Sequence, residues 1–242
     1  MSLKKVIAAA IATLGMVAAT ASPVLVSQAP WGQNRDQTNM NTVFGAGQYQ
    51  FFGSYGAANV GSIFNAANDF VMLEGGASTD IALRDYLNGN SASILSWVNA
   101  GGALLIQTAG WNTGVTFNGV NISYPAGNSC GTLTAAGIAA FTTATVQCGN
   151  SIAHDTITGA GLTTFMTGND NGGAIVAGKS VGAGYIMYSG LTNSQYHSNG
   201  NSLVDSVIRF TADAGNEVPE PASLALLGLG FVAAGLARRR KA

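Results

Sequence analysis

Residues 69–107 read DFVMLEGGASTDIALRDYLNGNSASILSWVNAGGALLIQ, and their order decides the fold class. Asp69 to Leu73 is an apolar run that ends in Glu74-Gly75-Gly76. A short continuous run of this kind suits a strand buried on both faces. From Ile81 to Ala100, the residues Leu83, Leu87, Ile94, Leu95 and Val98 recur mainly at spacings of three, four and seven, with an interruption near Gly89. That spacing predicts a helix with one apolar face. Asp80 stands where an acid caps a helix start, and Gly101-Gly102 stops it. Ala103 to Gln107 (ALLIQ) is the next buried strand. Strand, helix and strand together predict a parallel crossover.

Outward from this unit, Pro23 to Ser27 (PVLVS) reads as a short strand. Residues 113–150 alternate more, through Val115, Phe117, Val120 and Ile122, and read as hairpin or inserted loops. Ala174 to Val176 and Tyr185 to Tyr188 are late strands, with a Gly-rich turn at Gly182 to Gly184 between the two. Leu203 to Phe210 reads as a last helix. The chain shows no repeat of 20 to 50 residues. The expected fold class is α/β, an open and mostly parallel sheet with an insertion around 113–150.

Composition narrows the function. Of 242 residues 47% are hydrophobic and only 9% charged, against roughly 25% charged in an average soluble domain. A sizeable core is therefore available, and a disordered tail protein is excluded. Lys4 and Lys5 sit at one end and Arg238, Arg239, Arg240 and Lys241 at the other, leaving Arg35, Arg84, Lys179 and Arg209 between. Ten of the eleven acids lie in Ser22–Glu217, so four basic residues meet ten acids there and the net charge of that segment is −6. No basic surface remains for a nucleic-acid partner held through phosphates.

The two ends read as topology signals. Lys4 and Lys5, the apolar run Val6 to Ala18 and the small residues Ala19-Thr20-Ala21 have the layout of a secretory signal peptide, helical and cleaved before Ser22. Its partners would be the Sec translocon and signal peptidase. Residues 22–213 form the exported domain and 214–221 a linker. Ala222 to Ala237 reads as a transmembrane helix in the inner membrane, and 238–242 as a basic tail kept cytoplasmic. Val218, Pro219, Glu220 and Pro221 lie just before that stretch, and the prolines stop any helix there.

The run VPEPASLALLGLG, followed by the basic cluster, closely resembles the PEP-CTERM sorting signal. The resemblance implies an exosortase-like membrane peptidase that cuts near Pro-Glu-Pro, in a Gram-negative bacterium that makes exopolysaccharide and biofilm. The expected route is export across the inner membrane, transient anchoring, then the cell surface or the extracellular matrix, with exopolysaccharide as a candidate partner.

Cys130 and Cys148 both fall in the exported body, where an oxidising compartment favours a disulfide. No CxxC or nearby His cluster speaks for a metal, so neither a metal nor a cofactor is expected. His154-Asp155 could hold a ligand, although loop hydrogen bonding is the commoner role. Gly168-Asn169-Asp170-Asn171-Gly172-Gly173 is faintly like a calcium loop but lacks the spacing and final Glu of an EF-hand. A turn is the commoner reading.

The body also resembles, more distantly, the flavodoxin-like domains of class I glutamine amidotransferases and their ThuA-like relatives. DFVMLEGG is similar to the strand that helps form the oxyanion site there, GGALLIQTAG to the strand leading to the nucleophile elbow, and Gln195-Tyr196-His197-Ser198-Asn199 to the segment with the catalytic His and Glu. The resemblance implies a crevice at Glu74, Gly75, Gly76, Thr108 and His197. Its nucleophile position holds Thr108 and its acid position Asn199. Thr is a weak nucleophile and Asn cannot stabilise an imidazolium. The expectation is a non-enzymatic structural or binding protein with no catalytic residues. The alternative is a hydrolase or glycan-binding protein that uses the crevice.

Overall fold

The computed structural model describes residues 22–28, 33–77, 80–111, 114–125 and 127–216. The expected signal helix, the Pro-Glu-Pro segment, the apolar stretch 222–237 and the basic tail lie outside the described residues. Among the described residues no helix is long and apolar enough to cross a membrane.

The elements are β1 (Val24–Ser27), α1 (Gln33–Phe44), β2 (Gln50–Phe52), α2 (Val60–Ile63), β3 (Phe70–Ala77), α3 (Asp80–Asn99), β4 (Ala103–Gly110), β5 (Val115–Phe117), β6 (Val120–Ser123), β7 (Asn128–Leu133), α4 (Ala135–Ala140), β8 (Val146–Ala153), β9 (Thr156–Gly159), β10 (Thr163–Gly168), β11 (Ala174–Val181), β12 (Gly184–Ser189), a 3-10 turn at Ser194–Tyr196 and α5 (Ser202–Asn216). They build one 12-stranded sheet with the path β2-β1-β3-β4-β12-β11-β10-β7-β8, and β9 joins the β5–β6 hairpin to β11. β3 and β4 pair in parallel over eight residues, from Phe70 opposite Ala103 to Ala77 opposite Gly110. Helix α3 makes the crossover between them, as the order of the two apolar runs implies.

The expected flavodoxin-like, mostly parallel sheet is corrected by the rest of the pairing. Four strand pairs are parallel and seven are antiparallel. The sheet is mixed, with few helices. The reason is connection length, because a parallel neighbour needs a crossover of a dozen or more residues. The β5–β6, β10–β11 and β11–β12 connections are too short for that. Asn118 (φ 50°) and Gly119 (φ 72°) close the β5–β6 hairpin in a turn with two positive φ angles, which matches strand twist. Val181 pairs with Gly184 across the tight β11–β12 turn, so the two late strands are antiparallel neighbours. Nor is 113–150 a simple insertion: β7 and β8 extend the main sheet at its edge.

Each face of the sheet carries its own apolar layer. On one face, Leu83, Leu87, Ile94, Trp97 and Val98 of α3 pack on Val71, Leu73, Leu104, Ile106, Ile186 and Tyr188. On the other, Met40 of α1 and Leu203, Val204, Val207 and Ile208 of α5 pack on Leu25, Met72, Leu105 and Met187. The central strands are therefore apolar at consecutive positions, because both of their faces are buried.

At the sheet edge Cys130 and Cys148 are directly opposed on β7 and β8 and form the expected disulfide, across a sequence separation of 18. Closing a loop of that length stabilises by about 3 kcal/mol in the chain-entropy view. Replacing both cysteines by Ser is expected to lower the unfolding free energy by about 2–4 kcal/mol in urea titration. A change below ~0.5 kcal/mol would show that the hairpin is held by its backbone ladder alone.

Candidate functional site

Polar side chains enter the interior where the parallel strands end. Ser27, Glu74, Gln107 and Ser189 lie in one register row across β1, β3, β4 and β12. They follow the apolar row Leu25, Met72, Leu105 and Met187 by two residues, so they share its face, under α1 and α5. All four polar residues are buried. Thr108 comes one residue after Gln107 and points to the opposite face. Two clusters result, one on each side of the sheet.

The first cluster sits under α1. Ser27 Oγ lies 2.9 Å from Glu74 Oε2 and 3.1 Å from Asp36 Oδ2. Asn193 Nδ2 donates to the other Asp36 oxygen at 3.3 Å. Burial pushes the Asp36 carboxyl up to about 7 against the pull of the Ser27 hydrogen bond. Burial, and then the adjacent Asp36, raises Glu74 well above the usual carboxyl range. Tyr55 Oη anchors the strand by donating to the Glu74 carbonyl at 2.8 Å. Asp36 falls in the polar run QNRDQTNMNT, which has no apolar periodicity to mark a helix, so sequence reasoning missed both α1 and its acid.

The second cluster sits at the start of α3. Asp80, Thr108 and Asp155 are all buried. Asp155 Oδ2 accepts the Gly110 amide at 3.2 Å. Burial raises Asp155 to about 8, with a smaller push from Asp80, while the Gly110 amide and the Thr108 hydroxyl pull the other way. Gly110 has no alternative, because a Cβ there would lie 2.2 Å from Asp80 Oδ2. His154 Nδ1 lies 3.1 Å from the Ala109 carbonyl and also meets Trp111 Nε1. Trp111 and Tyr124 flank the His154 ring and are 51% and 48% exposed, which makes an aromatic rim over the buried acids.

The expected crevice is not one site. Glu74 belongs to the first cluster and Thr108 to the second. His197 Nε2 is 3.2 Å from Thr192 Oγ1, and burial lowers its pKa to about 4. Asn199 donates to Gln147 at 3.1 Å. Neither bond leads to Thr108. The 168–173 segment is a turn whose acceptors are used locally: Asp170 takes the Ser129 amide at 2.6 Å and Asn169 takes the Thr132 hydroxyl at 2.8 Å. Asp85 is exposed and paired with Arg84 at 2.9 Å. Among the described residues no three His, Cys, Asp or Glu side chains gather as a metal cluster. A groove of about 750 Å³ opens at the other end of the strands, beside Asn68, Asp69, Trp97 and Gly102, away from both acid clusters.

The Asp155 pKa sets a pH response. Between about pH 4, the ordinary carboxyl value, and about 8, the folded chain holds a proton on Asp155 that the unfolded chain lacks. Stability therefore falls as pH rises through that window. Asp155→Asn keeps the acceptor for Gly110 and removes the titration. Urea unfolding from pH 6.5 to 8, with the histidine contribution common to both proteins, is expected to show a flatter decline in the variant, by up to about 1.4 kcal/mol per pH unit. Equal slopes would show that Asp155 titrates normally.

Comparison with known proteins adds the following. No curated protein matches the chain. Among solved structures, a cold-adapted β-galactosidase from Rahnella sp. R3 is similar over 83% of this chain and 32% of its own length, at 12% identity and a TM-score of 0.48. A β-galactosidase from Bacillus circulans sp. alkalophilus is similar over 85% of this chain and 32% of its own length, at 10% identity and a TM-score of 0.46. The chain thus spans about a third of each of those enzymes, and the activity in their names belongs to them. Residues 217–241 match the PEP-CTERM protein-sorting motif, which supports a chain processed by exosortase and sorted to the cell surface.

Proposed function

We propose that this chain is an exported cell-surface or matrix protein whose body has a non-catalytic structural or binding role. The match of residues 217–241 to the PEP-CTERM motif carries the proposal. In this reading the body crosses the inner membrane, the stretch 222–237 holds it there, and an exosortase-like peptidase cuts near Pro219-Glu220-Pro221. Two features of the body support a role without catalysis. His197 is held neutral by burial and is bonded to Thr192, and Asn199 is bonded to Gln147, so the expected pair of His197 and Asn199 does not serve Thr108. Replacing Pro219, Glu220 and Pro221 together by Ala in the native host is expected to leave most of the protein in the inner-membrane fraction and to cut the surface fraction at least fivefold. Unchanged fractionation would contradict sorting through this motif.

The exposed Trp111 and Tyr124 favour binding of a neutral glycan as the finer role. Sugar rings stack on such side chains, and the surface carries too little positive charge to hold an anionic polymer. Titration with neutral polysaccharide from the host envelope is expected to show binding that Trp111→Ala weakens about tenfold with no change in thermal stability. Equal binding by the variant would remove the rim from the account.

A further inference from the structure

One group of buried oxygens gathers around a single hydroxyl. Ser27 has a single hydroxyl hydrogen, yet its oxygen lies within hydrogen-bond distance of both Glu74 Oε2 (2.9 Å) and Asp36 Oδ2 (3.1 Å). Only one of the two carboxyl groups can receive it at a time. Among the described residues no Lys or Arg pairs with either acid: Arg84 pairs with Asp85, Lys179 donates to the Asn118 carbonyl, Arg209 acts on Asp205, and Arg35 is exposed. Gln107 supplies a separate observation. It is register-paired with Glu74 on the same face and only 2% exposed, and its Oε1 has no hydrogen-bond partner. A buried carbonyl oxygen without a donor is costly, and this one belongs to the register neighbour of Glu74, whose carboxyl shares the Ser27 hydroxyl with Asp36.

We propose that Ser27, Asp36, Glu74 and Gln107 form a binding site for a divalent cation of the calcium class. The donors are all oxygen, as a hard cation requires, and the two carboxylates balance its charge. Calcium–oxygen distances of about 2.3–2.6 Å place neighbouring ligand oxygens roughly 3 Å apart, the spacing that Ser27 Oγ keeps to both acids. Magnesium keeps several waters and a strict octahedron, which a packed set of four side chains serves less well. The cation would tie the end of β1 to α1 and to the two central strands. It supplies what the Ser27 hydrogen cannot, a positive partner shared by both acids and by the Gln107 carbonyl. The site is independent of the sorting motif and of the Trp111 rim.

The test uses the full chain in detergent, stripped with EGTA, in thermal unfolding at fixed pH and ionic strength. Millimolar calcium chloride is expected to raise Tm by about 3–6 °C, and equal magnesium chloride by less than half as much. Asp36→Asn and Glu74→Gln each remove one buried carboxyl group whose ionised form burial disfavours. Both variants are therefore expected to match or exceed the wild-type Tm in EGTA while losing most of the calcium shift. Asp170→Asn, in the 168–173 turn, is expected to keep the shift. Terbium gives a readout that does not depend on stability, because Tyr55 is bonded to Glu74 and can sensitise its emission. The emission should be displaced by calcium and be absent in Asp36→Asn. No calcium shift in the wild type would overturn the proposal, as would a shift that survives in both acid variants or disappears in Asp170→Asn.

Discussion

The eight-residue parallel register of β3 on β4 is the constraint on which the rest of the domain depends. It fixes which side chains face α3 and which face α1 and α5, since a slip of one residue would exchange the faces. The apolar runs FVML and ALLI lie fully inside this register, with Phe70 through Leu73 and Ala103 through Ile106 all buried. The same register then carries Glu74 and Gln107 into the interior side by side. Their burial is a consequence of strand length, because each strand continues past its apolar run while still covered on both faces.

That continuation shapes the chemistry of the body. With few cations in the domain, Asp36, Glu74 and Asp155 have no salt-bridge partner among the described residues, and burial rather than pairing sets their protonation. Asp36, Glu74 and Asp155 are all raised, on two faces of one sheet. Two separate acid clusters do not make one catalytic crevice. On one face the acids meet the Ser27 hydroxyl and the Asn193 side-chain NH2. On the other they lie beneath an aromatic rim open to solvent.

The central unit was legible because its signals are strong: two apolar runs, a helical spacing between them and glycines that end the helix. The antiparallel half was not. Strands such as NSCGTL and VQCGNSIA carry Ser, Asn, Gly and Cys where apolar alternation would be sought, and they fold as strands through hairpin pairing at the sheet edge. Helix α1 is polar over nearly its whole length and is held by Met40, Asn39 and Asp36, so its pattern gave no periodic face. Of the expected crevice, Glu74 was readable from its place at a strand end. Grouping Thr108 with it failed on parity, since Gln107 is the residue of β4 that shares the face of Glu74. The Ser27–Asp36 contact was out of reach because it joins a strand to a helix that the sequence did not announce.

The sorting signal stands apart from these questions of packing, because it is read as a linear segment at 217–241. It is also the part of the account with the most direct consequence for where the body acts. Intact-mass spectrometry of the protein recovered from the surface of its native host tests it. The account predicts a mature species that ends near Pro219-Glu220-Pro221 and lacks Arg238, Arg239, Arg240 and Lys241. A surface species whose mass includes those four residues would contradict it.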